Sequence, residues 1–233
     1  MQEISRKTPT GLPDPTEVGV NEFKKSGATR TRILEAAIEC LATIGYHATS
    51  TTTVAKYAGL TRAAMLYHFP NRLALIEAVV HYVTRRRVEM QDEAHKGVSK
   101  DNYYRERSIE LQWALLKSRE FWAFSELAMA SRTDLDLQAI FKPAMESYDL
   151  ARREMAQYLA QDEVRDDPGF ELRRDIGRFA LEGLAQQDGI TFDKEKRMSE
   201  FKWFLKLLFD SEYSGPLVDK ALAMAAEERA SKK

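Results

Sequence analysis

Thr61, Arg62, Ala63, Ala64, Tyr67 and His68 fall on one face of a helix that begins at Thr61, while Met65, Leu66 and Phe69 recur at i, i+1, i+4 and can face a core. The outer face is small at its start, carries one long cation, and ends in a phenol and an imidazole. Small residues let a backbone and the Arg62 guanidinium approach base edges in a major groove, where guanidinium can bond guanine O6 and N7 together. Tyr67 and His68 can donate hydrogen bonds to phosphates. Thr51 and Thr52 open the preceding helix, where either can cap it and bind a further phosphate. Arg72 lies in the first turn of a later helix and opposes that helix's dipole, a cost that makes sense if an external phosphate sits there.

The elements that must hold these groups read clearly. Val54, Ala55 and Ala58 form the inward face of a short helix; Gly59 ends it, Leu60 plugs the corner, and Thr61 caps the next helix. Before this pair, Ile33, Ala36, Ala37, Cys40, Leu41 and Ile44 make one apolar stripe, which predicts a helix from about Thr29 to Ile44 stopped by Gly45. After it, Asn71 caps a fourth helix that carries Leu75, Ile76, Val79, Val80 and Val83 and closes at Gly97. Arg85, Arg86 and Arg87 on that helix read as a solvated or acid-paired segment.

At these residues the chain resembles the amino-terminal domain of the TetR (tetracycline repressor) family of transcriptional regulators. The resemblance rests on Gly45-Tyr46, Ala48-Thr49, Val54-Ala55, Ala58-Gly59-Leu60-Thr61, Tyr67-His68-Phe69-Pro70-Asn71-Arg72 and Leu75. It implies a helix-turn-helix head, and it agrees with a phosphate at Arg72. Leu66 stands where family members usually carry a phosphate-contacting Tyr, and Ala63 replaces the frequent Gly.

Charge supports the same division. From Lys24 to Arg87 there are ten basic and three acidic residues, a net of +7 in a chain that totals −1, so the remainder carries −8. A basic head on an acidic body suits a polyanion partner for the head alone. The single Cys40 cannot form an internal disulfide and suits a reducing cytoplasm. The apolar run from Leu73 to Val83 contains Glu77 and His81, so a membrane span is not expected, and the first residues lack the apolar core of a signal peptide. His47, His68, His81 and His95 do not stand at metal-ligand spacings, and neither a phosphate-binding Gly loop nor HExxH nor GxSxG occurs. The paired Asp166 and Asp167 flank a Pro-Gly turn and read as solvated. No enzyme, metal or cofactor is expected.

The organisation expected is all-α: a mobile tail over 1–28, a helix-turn-helix domain over 29–75, and a helical effector-binding and dimerisation domain over 76–233. Pro143 should kink or break the long pattern that begins at Asp134. Trp113, Phe121, Trp122, Phe124, Met129, Phe141, Met145 and Tyr148 are rich in aromatic and Met side chains. Any one of them suits a core. Together they lie on helices that, by the resemblance, surround an effector cavity, with Ser125 and Gln112 as polar contacts. The helix at 195–210 is apolar on nearly all sides and must be buried on nearly all sides. A second subunit is the simplest cover, which places Ile176, Phe179, Ala180, Leu184, Phe201, Phe204, Leu205 and Leu208 in a four-helix dimer interface. The functional expectation is a cytoplasmic homodimeric regulator of double-stranded DNA, a repressor released from a roughly palindromic operator by a small apolar or aromatic effector. Two alternatives stay open: an activator or adaptor without an effector, and a helical small-molecule-binding protein that has lost DNA binding.

Overall fold

The computed structural model describes residues 12–17, 24–96, 108–159, 166–190 and 192–231. Among them are ten helices and no strand, as an all-α chain requires: α1 Lys24–Ala48, α2 Thr51–Tyr57, α3 Arg62–His68, α4 Arg72–His95, α5 Ser108–Leu115, α6 Arg119–Ala130, α7 Leu135–Leu159, α8 Phe170–Gln186, α9 Lys194–Phe209 and α10 Ser211–Ser231. They pack as two units, Met1–Ala94 with Lys117–Met155, and His95–Leu116 with Ala156–Lys233. The first unit therefore joins the helix-turn-helix segment to most of α4, to α6 and to most of α7. The expected stop at Gly97 lies outside the described residues.

In the first unit the stripe of α1 supplies the core, with Ile33, Leu34, Ala37, Ile38 and Leu41 fully buried. Val54 of α2, Met65 of α3 and Leu75, Ile76 and Val79 of α4 are buried as well. Gly45 interrupts α1 at φ 79°, ψ 173°, a conformation open essentially to glycine alone. Asn71 Oδ1 accepts from the Ala74 N–H at 2.8 Å and caps α4, and Asp134 Oδ1 accepts from the Leu137 N–H at 3.0 Å and caps α7. Within residues 12–17, Asp14 bonds Thr16 and pairs with Arg85 at 2.9 Å, and the Pro15 carbonyl accepts from Arg30 Nε at 2.9 Å.

Pro143 does not break α7: one helix spans Leu135–Leu159 through it. Pro143 and Ala139, whose carbonyl loses its partner, are both exposed, so water can satisfy that carbonyl and most of the cost of the missing N–H disappears. Arg85 and Arg86 pair with Glu89, as an acid-paired segment would. The Arg87 guanidinium lies 4.1 Å from the centre of the Phe124 ring, 5.1 Å from that of Tyr148 and 5.5 Å from that of Phe121.

In the second unit α9 packs on α8 and α10, and α5 packs on α8 and α9. Leu205 and Leu208 are buried within the chain itself, with Leu181, Ala185 and Val218, so these two are core residues of one subunit rather than interface residues. The α-helical period explains part of it: Trp203 and Leu207 lie across the helix from the 205 and 208 stripe and are exposed, and Phe204, one turn before Leu208, is exposed at the edge of that stripe. Arg173, 3% exposed, donates from Nε to Ser214 Oγ at 2.7 Å and pairs with Asp167, closing the corner around the start of α8. That ion pair corrects the reading of Asp167 as merely solvated.

Candidate nucleic-acid interface

The reading face is built on two anchors. Met65 and Phe69 are buried to 2% exposure or less, so α3 has one fixed rotation about its axis. Thr61, in extended backbone, accepts the Ala64 N–H on its hydroxyl at 3.1 Å and starts the helix where the sequence places it. What the anchors leave outside is Thr61, Arg62, Ala63 and Tyr67, all exposed, with Ala64, Leu66 and His68 half-buried. Tyr67 is 76% exposed, its ring edge-on to His68 with centroids 5.2 Å apart.

The turn between α2 and α3 has the geometry of a glycine-closed helix end. Gly59 sits at φ 62°, the Leu60 N–H bonds the Ala55 carbonyl at 2.8 Å, and the Gly59 N–H bonds the Lys56 carbonyl at 3.2 Å. A side chain at Gly59 would meet nothing within 4 Å, so only its φ asks for glycine. At the other end of α2 the cap is Ser50, not Thr51 or Thr52. Ser50 holds the extended backbone of an N-cap and its hydroxyl accepts from the Thr53 N–H at 3.0 Å. Thr52 is then left exposed and Thr51 half-buried, with Lys56 and Tyr57 exposed on the same helix. The sequence offered a run of five hydroxyl residues, Thr49 to Thr53, and propensity alone does not choose among them.

Arg72 is placed differently from the external role assumed for it. Its Nε donates to the Thr49 carbonyl at 2.9 Å, Nη2 to the Tyr46 carbonyl at 2.8 Å and Nη1 to the Tyr46 hydroxyl at 3.1 Å. The guanidinium also stacks 4.2 Å from the centre of the Tyr46 ring. Tyr46 in turn donates its hydroxyl to Asp134 Oδ2 at 2.7 Å and its N–H to Glu126 Oε2 at 3.1 Å. Burial, and then the bond to Asp134, raise the Tyr46 phenol above its ordinary value, so it stays a donor. The Leu137 N–H, and then the Tyr46 hydroxyl, hold the Asp134 carboxyl below its own. Tyr46 and Asp134 were legible only as a family residue and a helix start; nothing in their spacing pairs them. Arg30 completes the support, with its guanidinium 4.6 Å from the Phe69 ring and a bond to the His68 carbonyl at 3.2 Å.

Of the residues proposed around an effector, Phe121, Ser125, Phe141 and Tyr148 are buried in the first unit and Met145 is half-buried. The Phe124 ring centroid lies 5.5 Å from those of both Phe141 and Tyr148, and Arg87 lies against this cluster. Trp122 and Met129 are exposed, 36% and 55%, on the outward side of α6, and Trp113 belongs to the second unit. Ile176, Phe179, Phe201 and Phe204 are exposed, with Ala180 and Leu184 half-buried beside them. Among the described residues no group of His, Cys, Asp and Glu could hold a metal ion, and no helix is long and apolar enough to cross a membrane.

Residues 33–79 match the sequence profile of "Bacterial regulatory proteins, tetR family". No curated protein matches the chain. Among solved structures, a Rhodococcus sp. protein assigned to the TetR family of transcriptional regulators is 18% identical with a TM-score of 0.57, over 78% of this chain and 100% of that one. A Saccharomonospora viridis protein solved in complex with choline is 20% identical with a TM-score of 0.59, over 77% and 96%. NalD of Pseudomonas aeruginosa, the secondary repressor of the MexAB-OprM multidrug efflux pump, is 19% identical with a TM-score of 0.52, over 78% and 96%. At these identities the likeness is one of fold.

Proposed function

Through its amino-terminal domain the chain belongs to the TetR family of bacterial regulatory proteins, and from that premise we propose that it is a homodimeric, sequence-specific repressor released from its operator by a small effector. The observation that carries the reading is the face of α3: Thr61, Arg62, Ala63 and Tyr67 exposed on a helix whose rotation Met65 and Phe69 fix. Arg62 reads a guanine by its fork of donors, and Tyr67, Thr61 and Thr52 hold phosphates. Two such heads occupy successive major grooves about 34–36 Å apart on a near-palindromic site.

The dimer is supported by the exposed apolar side chains of α8 and α9. Phe179, Trp203, Phe204 and Leu207 are 59%, 65%, 61% and 48% exposed, and such a patch on a folded unit marks an interface. The effector reading is supported by the rings of Phe121, Phe124, Phe141 and Tyr148 with Arg87 against them, a surrounding suited to a flat aromatic molecule.

The test is an anisotropy titration with DNA from the region upstream of the chain's own gene, at several salt concentrations, with operator variants and a compound panel. Wild type should bind with a steep salt dependence. Arg62→Ala should lose about 1–3 kcal/mol and relax discrimination at one base pair in each half-site. Full discrimination in Arg62→Ala removes the assignment of the base reader. Failure of every compound to release the DNA would favour the activator or adaptor reading.

A further inference from the structure

We propose that Tyr46, Arg72, Glu126 and Asp134 form a polar joint that sets the angle of the reading head, with Arg72 a positioning residue rather than a ligand of DNA phosphate. The proposal deepens the regulator reading and rests on it for its DNA-binding consequence.

The joint gathers four segments of the first unit. From the last turn of α1, past Gly45, come the N–H, carbonyl and hydroxyl of Tyr46, a residue 3% exposed, and just after it the Thr49 carbonyl. From the first turn of α4 comes Arg72, three of whose nitrogens each donate one bond into that turn. From α6 comes Glu126, and from the start of α7 comes Asp134. Asp134 serves two ends at once, with Oδ1 capping α7 at the Leu137 N–H and Oδ2 accepting from Tyr46. Gly45 belongs to it sterically: a Cβ there would lie 3.2 Å from Glu126 Oε2.

Two consequences follow from the chemistry. Ser50, the residue next to Thr49, caps α2, so the carbonyls that Arg72 holds are those that aim the helix-turn-helix pair. Bonds with one charged partner are the stronger ones and require good geometry, so a shift of α6 or of the start of α7 against this turn breaks them rather than stretching them. Those same two helices carry Phe121, Phe124, Phe141 and Tyr148. A change of packing among the rings therefore reaches Glu126 and Asp134 directly, by a route separate from the length of α4. Three of the five N–H donors that a phosphate would need are already taken by uncharged carbonyls and a phenol.

The experiment uses the full chain: wild type, Arg72→Gln, Arg72→Lys, Tyr46→Phe and Asp134→Asn, each measured by operator titration across a salt series and by amide hydrogen exchange. Arg72→Gln should weaken operator binding about tenfold, the scale of one lost bond to a charged group, with the slope of log K against log salt unchanged. Tyr46→Phe and Asp134→Asn, which touch no DNA, should weaken binding several-fold at the same slope. Arg72→Lys should rescue little, because a single ammonium cannot serve three acceptors. A slope reduced by about one in Arg72→Gln makes Arg72 a phosphate ligand and overturns the proposal. Exchange keeps the joint testable whatever the DNA result. Asp134→Asn should speed exchange over residues 50–68 while α8 and α9 keep their protection, and unchanged exchange over 50–68 overturns the joint. Wild type that fails to bind any DNA removes the regulator reading instead, and the exchange result still decides the joint.

Discussion

Replacing Gly45 by Ala probes the one backbone position on which the join between α1 and the head depends. At φ 79° and ψ 173° a residue with a Cβ is strained by about 1–3 kcal/mol. The added Cβ would lie 3.2 Å from Glu126 Oε2, so that carboxylate must give way and its bond from the Tyr46 N–H weakens. Against this, the unfolded chain loses freedom on going from Gly to Ala, which returns about 0.4–1 kcal/mol. The net expectation is a loss of about 2 kcal/mol, or about 1 M in the urea midpoint for a slope of about 2 kcal/mol/M. Gly59 supplies the control, because its φ of 62° lies where Asn is tolerated and a Cβ there meets nothing within 4 Å. Asn should therefore cost far less at 59 than at 45. Urea titrations followed by circular dichroism, at one fixed protein concentration, measure Gly45→Ala, Gly45→Asn and Gly59→Asn beside wild type. A Gly45→Ala midpoint equal to wild type, or equal costs for Asn at the two glycines, would refute the argument from backbone conformation.

Three further outcomes are expected. Cys40 is fully buried and its thiol is pushed up to about 11 by burial and by Glu39, so Ellman's reagent should label the chain in denaturant and leave it unlabelled when native. Rapid native labelling would contradict the packing of α1. Burial depresses His81 below its ordinary 6.5 against an opposing pull from Glu77, so its neutral form is the one that suits the fold. Its share of stability is then present above 6.5 and lost as the pH falls through the folded value. The urea midpoint should drop between about pH 7.5 and 5.5, and drop less in His81→Gln, well above the 3.8 around which Asp14 and Asp134 matter. Phe204→Glu should give a folded monomer in sedimentation velocity where wild type is a dimer, since it places a charge at an exposed position of the apolar patch and leaves the buried Leu205 and Leu208 in place. A dimer that survives this change moves the interface elsewhere.

The sequence by itself determined the elements and their local punctuation. Apolar residues at helical spacing in α1 and α4, the glycine after α2, Thr61 before α3, and Asn71 and Asp134 before the next helices all act within a turn or two of themselves. The face of α3 was legible for the same reason: a helix with Met65 and Phe69 inside has only one outside. Tertiary structure decided whatever depends on partners distant along the chain. Arg72 turns inward because Tyr46 and Thr49 offer acceptors 26 and 23 residues away, Tyr46 finds Asp134 at a separation of 88, and Arg87 reaches the rings of α6 and α7. Leu205 and Leu208 went to the interior of their own subunit while Phe204 stayed outside, a division that an all-round apolar helix does not announce. A side chain's own chemistry states which partners it can accept, and only the packed chain determines which of them comes within reach.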